Sequence, residues 1–245
     1  MEPKISFIGP SHRTHLWKSF FESIITNLDF EVVFVSDIVP KEGEVPEDDR
    51  FRYIISKVKP AQCFEIAYRR STGTHIIWTG DDFMYSPYAL ENLITMYNSF
   101  YDHKVIIACN VYQDGHSARH EHVVPWDNKI RLTTTGLISK KVIEEVGGLA
   151  DRTFVCGHWD VDLMMRIYTN GGKLFECPTA IAYEPHNQFH KIESNFATSW
   201  ATELEYFKSL WMKDGKTTSE RQKVFIPYSE ENILTESQGE KGKWN

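Results

Sequence analysis

Apolar positions along this chain follow two alternating periods. "KISFIG" is a short apolar run closed by Gly9-Pro10, the signature of a strand ending in a turn. "THLWKSFFESIITNL" places Leu16, Phe20, Ile24 and Leu28 four residues apart, which predicts a helix. "EVVFVSD" is apolar almost throughout, as a strand covered on both faces must be. "PKEGEVPEDDR" reads as a loop whose charges are solvated. "KPAQCFEIAYRRSTG" has proline near its start and glycine past its end, a second helix. A third strand, "THIIWTG", is followed by "SPYALENLITMYNSFYDH", a helix with Ser86 as cap and Pro87 in its first turn. "KVIIACN" is a fourth strand.

Strand and helix in this rhythm predict an α/β fold with a Rossmann-like, mostly parallel central sheet flanked by helices. Ligands of such sheets sit at the carboxyl ends of the strands. Three polar endings should therefore meet at one edge: Gly9-Pro10-Ser11, Ser36-Asp37 and Gly80-Asp81-Asp82. Two adjacent carboxylates repel unless something positive joins them. A hard cation such as Mg²⁺ or Mn²⁺, bridging to substrate phosphates, would do so. A plain Gly-Asp turn is the alternative.

Downstream, a short helix ends at Gly147-Gly148. A polar loop leads to a helix carrying Asp160, Asp162 and Arg166, and Gly171-Gly172 leads into a strand near "KLFECP". Asp160 at a helix start is favoured by the helix dipole, and Asp162 can pair with Arg166 one turn on.

In order, "FIGPSHR", "VFVSD", "GTHIIWTGDD", "VGGLAD" and "HWDVDLMMR" resemble the motif series of the family 2 glycosyltransferases, from about Lys4 to His186. The resemblance implies a GT-A fold and transfer of a sugar from a nucleotide-diphosphate sugar, UDP- or GDP-linked, to an acceptor hydroxyl of a glycan, protein or small molecule. It also implies inversion and assistance from Mn²⁺ or Mg²⁺. Gly80 replaces the first aspartate of the family's D-x-D. Asp82 matches the metal-binding one, and Asp81 falls on the variable position, near ribose or metal. Gly9, Pro10, Ser11 and Asp37 match donor-binding positions, Asp37 at the nucleobase. Thr133–Gly136 matches the segment lining the donor sugar. Asp160 matches the general base, and Trp159, in place of a glutamate, joins the donor-binding set. His186, ending "AIAYEPH", matches a histidine that completes the metal site, and His190 could share it. Nucleotidyl transfer and a catalytically inactive nucleotide-sugar-binding protein on the same fold are the alternatives.

The cluster His116, His120, His122 is read as a loop near the acceptor without a metal, since no thiol or carboxylate set completes it. "KIESNFATSWATELEYFKSLWMK" has apolar residues at helical spacing and predicts a helix packed on the core. "SEENILTESQGEKGKWN" is polar and expected to fray. Residues 1–190 then form the GT-A domain, and 191–245 a helical extension of it.

Composition narrows the class further. The 245 residues are 41% hydrophobic and 25% charged, a globular balance, and the net charge of -7 speaks against a nucleic-acid partner. No run of about 18 apolar residues suggests a transmembrane span. "MEPKISFIGP" lacks a signal-peptide pattern, and the four cysteines are widely spaced. Both point to a cytoplasmic protein with free thiols.

Overall fold

The computed structural model describes residues 4–113, 116–117, 133–184, 195–230 and 233, with backbone alone at 116–117 and 195–200. β1 (Ile5–Ser11) leads through a 3₁₀ turn (Thr14–Leu16) into α1 (Trp17–Ser23). β2 (Phe30–Ser36), β3 (Phe51–Ile55), α2 (Pro60–Arg70) and β4 (His75–Trp78) follow. Next come β5 (Met84–Tyr85), α3 (Ala89–Asn98), β6 (Val105–Gln113) and β7 (His116–Ser117). The second half contains β8 (Gly136–Ser139), α4 (Lys140–Glu145), α5 (Trp159–Thr169) and β9 (Lys173–Glu184). α6 (Asn195–Trp211) runs into a small hairpin, β10 (Met212–Lys213) and β11 (Lys216–Thr217).

The main sheet has the order β3-β2-β1-β4-β8-β6-β9-β5, with β7 on β6. β1 pairs in parallel with β2 and β4, β2 with β3, and β6 with β9. β8 lies antiparallel between β4 and β6, and β5 runs antiparallel to β9. The sheet is therefore mixed, and β1, β2, β3, β4, β6 and β9 all point one way. Its two faces are both covered. Val33 and Val35 of β2 join a core with α2, α4, α5 and α6, and Val32 and Phe34 join the core on the side of α1 and α3. This two-sided burial is what the unbroken apolar run of β2 requires.

Several boundaries differ from the apolar pattern for local reasons. α1 stops at Ser23, whose hydroxyl bonds Phe20 O and accepts from Tyr85 N, and the β-branched run Ile24-Ile25-Thr26 follows. α3 begins at Ala89, not at Pro87: Tyr88 is left-handed (φ 60°), and the Ser86 hydroxyl accepts from Ile181 N of β9 instead of capping the helix. "KLFECP" and "AIAY" form one strand. Its register against β6 shifts where Cys177 faces Cys109 but Ile181 faces Asn110, an interruption containing Pro178, which has no N–H to give.

The C-terminal segment is tied to the core. Phe207, Leu210 and Trp211 of α6 are fully buried beside α5. Arg69 of α2 pairs with Glu65 and Glu230 and donates to Tyr228 O. Ile233, in the stretch expected to fray, is 2% exposed and accepts from Gln62. The rest of that stretch beyond 230 lies outside the described residues.

Candidate active site

Register brings the strand ends together. Ser11 of β1 lies beside Ser36 of β2, so Asp37 follows at the same edge. Ile8 lies beside Trp78 of β4, and Thr79 N donates to Ile8 O, which carries Asp81 alongside Ser11. Gly9 is needed for this approach, since a Cβ there would stand 2.1 Å from Thr79 O.

Asp81 is 2% exposed. Its Oδ2 accepts from the Ser11 hydroxyl (2.7 Å) and from the amides of His12 (3.0 Å) and Arg13 (2.8 Å). Its Oδ1 accepts from Arg13 Nε (2.8 Å) and Nη2 (2.6 Å). Both oxygens thus hold the turn after β1. The same Arg13 Nη2 lies 2.8 Å from Asp82 Oδ2. The positive group joining the two carboxylates is a side chain of this protein, one that the motif "FIGPSHR" contained without revealing its role. Burial opposes the charge of Arg13, but Asp81 and Asp82 outweigh it and hold its pKa above the ordinary value. Burial also pushes the Asp82 carboxyl up, with Arg13 opposing and Asp81 adding. The substitution of Gly80 has a steric counterpart: a Cβ at 80 would meet Asp82 Oδ1 at 2.5 Å.

Asp37 is half-buried, and its Oδ1 lies 2.9 Å from Nδ1 of the exposed His12. Gly136 lies in β8 between β4 and β6, and a Cβ there would meet Ile107 O at 2.9 Å. Beside it, the buried Tyr85 hydroxyl bonds those of Thr79 and Thr135, each at 3.0 Å.

β9 starts level with β6, Lys173 opposite Val105. The preceding Gly171-Gly172 turn is therefore at the amino edge of these strands, and α5, which runs into that turn, starts at their carboxyl edge. Val155 O accepts from Ala61 N at the head of α2, and burial pushes the Cys63 thiol up with Asp37 and Cys156 adding to the effect. The segment leading to α5 and the end of β2 thus flank one residue of α2. Asp160 is half-buried in the first turn of α5, and its Oδ1 accepts from Val161 N at 2.9 Å. Trp159 is 3% exposed and packs on Phe64 with ring centroids 4.5 Å apart, a core position.

Asp162 is fully buried. Its Oδ2 accepts from Arg166 Nε (2.9 Å), the expected i,i+4 pair, and its Oδ1 from Trp211 Nε1 (2.9 Å) and Arg221 Nε (3.0 Å). Arg221 also reaches Asp151 (2.7 Å), so this node fastens the segment after α6 to α5. Arg221 was invisible to motif reasoning, because it lies far along the chain in a polar stretch.

Among the described residues, no group of three or more His, Cys, Asp or Glu is placed to hold a metal ion. His186, His190, His120 and His122 lie outside the described residues, as does the side chain of His116. The four cysteines are free and buried, and no described helix is long and apolar enough to cross a membrane.

Two solved proteins share the architecture. GalNAc-T7, crystallised with UDP, GalNAc and Mn²⁺, aligns with a TM-score of 0.59 at 12% identity over 85% of this chain and 51% of its own. The S. aureus TarS 1-349 structure in complex with UDP-GlcNAc aligns at 0.56 and 11% identity, over 81% of this chain and 64% of that one. The chain has the GT-A fold. It spans between about half and just under two thirds of those two structures. No family model and no curated protein sequence matches it.

On the GT-A fold, the edge carrying Asp37, Ser11–Arg13 and Asp82 is where a ligand of a parallel sheet binds. Within the trio of Asp81, Asp82 and Arg13, two negative charges face one positive. Asp81 is consumed by the turn, so the carboxylate able to turn to a ligand is Asp82. That fits a divalent ion completed by substrate phosphates, since Mg²⁺ takes as few as one or two carboxylates in such sites.

Proposed function

We propose that this protein is a glycosyltransferase that moves a sugar from a nucleotide-diphosphate sugar to an acceptor hydroxyl with inversion. The observation that supports it is the Asp81–Arg13–Asp82 trio at the carboxyl edge of β1 and β4, with Asp37 following the end of β2 at that same edge of a GT-A sheet.

Asp37 accepts a hydrogen bond from the nucleobase, uracil or guanine, and Ser11 and the turn around it shape the wall beside the ribose. Arg13 holds Asp82 in place by its ion pair. Asp160 accepts the proton of the acceptor hydroxyl as that oxygen attacks the anomeric carbon. The bond from that carbon to the diphosphate oxygen breaks, and the nucleoside diphosphate leaves with the electron pair. One displacement of this kind inverts the centre. Asp82, with His186 as a further candidate ligand, would hold Mn²⁺ or Mg²⁺, which when bound offsets charge on the diphosphate.

The test is a panel of UDP-, GDP-, CMP- and dTDP-sugars with Mn²⁺, measuring binding and release of nucleoside diphosphate, with Asp160→Asn in parallel. Asn caps a helix as well as Asp, so the variant keeps fold and donor affinity, while loss of a positioned base costs about 10²–10⁴ in rate. Near-normal turnover by Asp160→Asn removes it as the base. Binding without turnover in the unaltered protein identifies an inactive binder, and release of pyrophosphate a nucleotidyltransferase.

A further inference from the structure

α6 carries a buried carboxylate that, among the described residues, is hydrogen-bonded to the segment before α5. Glu203 is 4% exposed and accepts from the amides of Val155, Cys156 (2.6 Å) and Gly157 (2.8 Å). Consecutive amides converging on one anion form a concave nest, and this nest ends one residue before His158. His158 is in the left-handed region (φ 55°), and α5 begins immediately after it. A non-glycine residue there is strained and persists only where its surroundings dictate it. Two backbone bonds also act on the segment, Ala61 N to Val155 O (3.0 Å) and Trp159 N to Gly157 O (2.7 Å). Burial raises the Glu203 carboxyl, the three amides oppose this, and Asp160 adds to it, which places the Asp160 charge within reach of Glu203.

We infer that Glu203 is a positioning residue for Asp160: it folds the 155–157 segment into the nest that starts α5 and so sets Asp160 at the strand-end edge. The inference rests on Asp160 being the base, and it assigns to α6 a part in the site. The docking of α6 does not depend on it, because Phe207, Leu210 and Trp211 anchor the helix with 0% exposure each. Loss of Glu203 should therefore loosen the loop and leave the helix in place.

The test uses the full chain with Glu203→Gln, which retains one acceptor oxygen and turns an amide NH₂ toward backbone donors. Hydrogen exchange should speed up by about tenfold or more at Val155, Cys156 and Gly157, the effect of about one lost hydrogen bond, and stay unchanged in the buried turns of α6. With a donor identified, kcat should fall by a similar factor while the donor KM stays within about twofold, because the strand-end contacts are untouched. Glu203→Ala provides the second arm: formate, which can enter the vacated nest, should restore both protection and kcat. Unchanged exchange at 155–157 in Glu203→Gln overturns the inference. So does exchange that rises equally throughout α6, or a Glu203→Ala variant that formate does not restore. If the unaltered protein transfers no sugar, the exchange data still decide whether Glu203 holds the loop, and the reading of Asp160 as base fails separately.

Discussion

Replacing Arg13 with Met keeps much of the side chain's length and removes the charge that separates Asp81 from Asp82. The contacts that disappear include Nε and Nη2 to Asp81, at 2.8 and 2.6 Å, and Nη2 to Asp82 at 2.8 Å. Breaking a buried ion pair by removing one partner costs about 3–5 kcal/mol. The Arg13 side chain is 20% exposed, so solvent screening puts the expected loss at the low end, about 3 kcal/mol. For a chain of this length that is a fall of roughly 6–12 °C in Tm. Asp81 keeps three donors, the Ser11 hydroxyl and the amides of His12 and Arg13. Asp82 loses the guanidinium it pairs with, so it is the residue whose charge the variant exposes. Urea denaturation at pH 7 of the parent, Arg13→Met, Asp82→Asn and the double variant closes a cycle. The double variant should be more stable than Arg13→Met, with a coupling energy of about 1–2 kcal/mol. Additive losses, or an Arg13→Met variant within about 0.5 kcal/mol of the parent, would refute the view that this guanidinium balances the two carboxylates.

Asp82→Ala should weaken binding of a nucleoside diphosphate and abolish its dependence on Mn²⁺ or Mg²⁺; titration calorimetry with and without the ion checks this, and unchanged metal-dependent binding rejects Asp82 as the ligand. Asp162→Asn should cost about 3–5 kcal/mol, as it strips a buried charge from Arg166 and Arg221; chemical denaturation measures it, and a loss under about 1 kcal/mol contradicts the role assigned to this node. Burial works against the Glu31 carboxylate, but hydrogen bonds from Ser6, Thr72 and Arg52 outweigh it and bring its pKa from 4.5 to about 2. A folded-state pKa below the unfolded one adds stability that is complete above the unfolded value and disappears as pH falls from about 4.5 through about 2, a total of about 3 kcal/mol. Glu31→Gln should flatten stability against pH across that window, and an unaltered acid limb would show that other carboxylates govern it.

The α/β class and the strand-end convergence were legible in the sequence because both rest on local pattern: apolar runs of strand length, each ending in glycine, serine or aspartate. β3 was not, since it is a five-residue edge strand that Arg52 interrupts and that follows directly on the charged loop. The antiparallel insertion of β8 was hidden too, because direction depends on partners more than 25 residues away in β4 and β6. Of the site, the aspartates were readable by motif, and Arg13 was quoted within one. Glu203 and Arg221 were not: their partners lie 46–48 and 59–70 residues away, and no spacing rule links them.

The two acidic motifs divide in the same way. In "GDD", Asp81 is 2% exposed and held by Arg13 and the β1 turn, and Asp82 beside it is only partly buried. In "WDVD", Asp162 is 0% exposed and held by Arg166 and Arg221, and Asp160 is only partly buried. Asp81 holds the amides of His12 and Arg13 together with the Arg13 guanidinium, which also reaches Asp82, and Asp162 holds the side chains of Arg166, Arg221 and Trp211. In the proposed function the less buried neighbour, Asp82 or Asp160, is the one that meets the ligand. A buried charge is tolerated only when paired, so Asp81 and Asp162 must each bring an arginine. This separates the effects of mutation: changes at Asp81 and Asp162 should act through stability, whereas changes at Asp82 and Asp160 should act through ligand and turnover in a protein that still folds. A side chain at position 80 would bring its Cβ to 2.5 Å from Asp82 Oδ1, so Asp82 would have to turn from its present position beside Arg13.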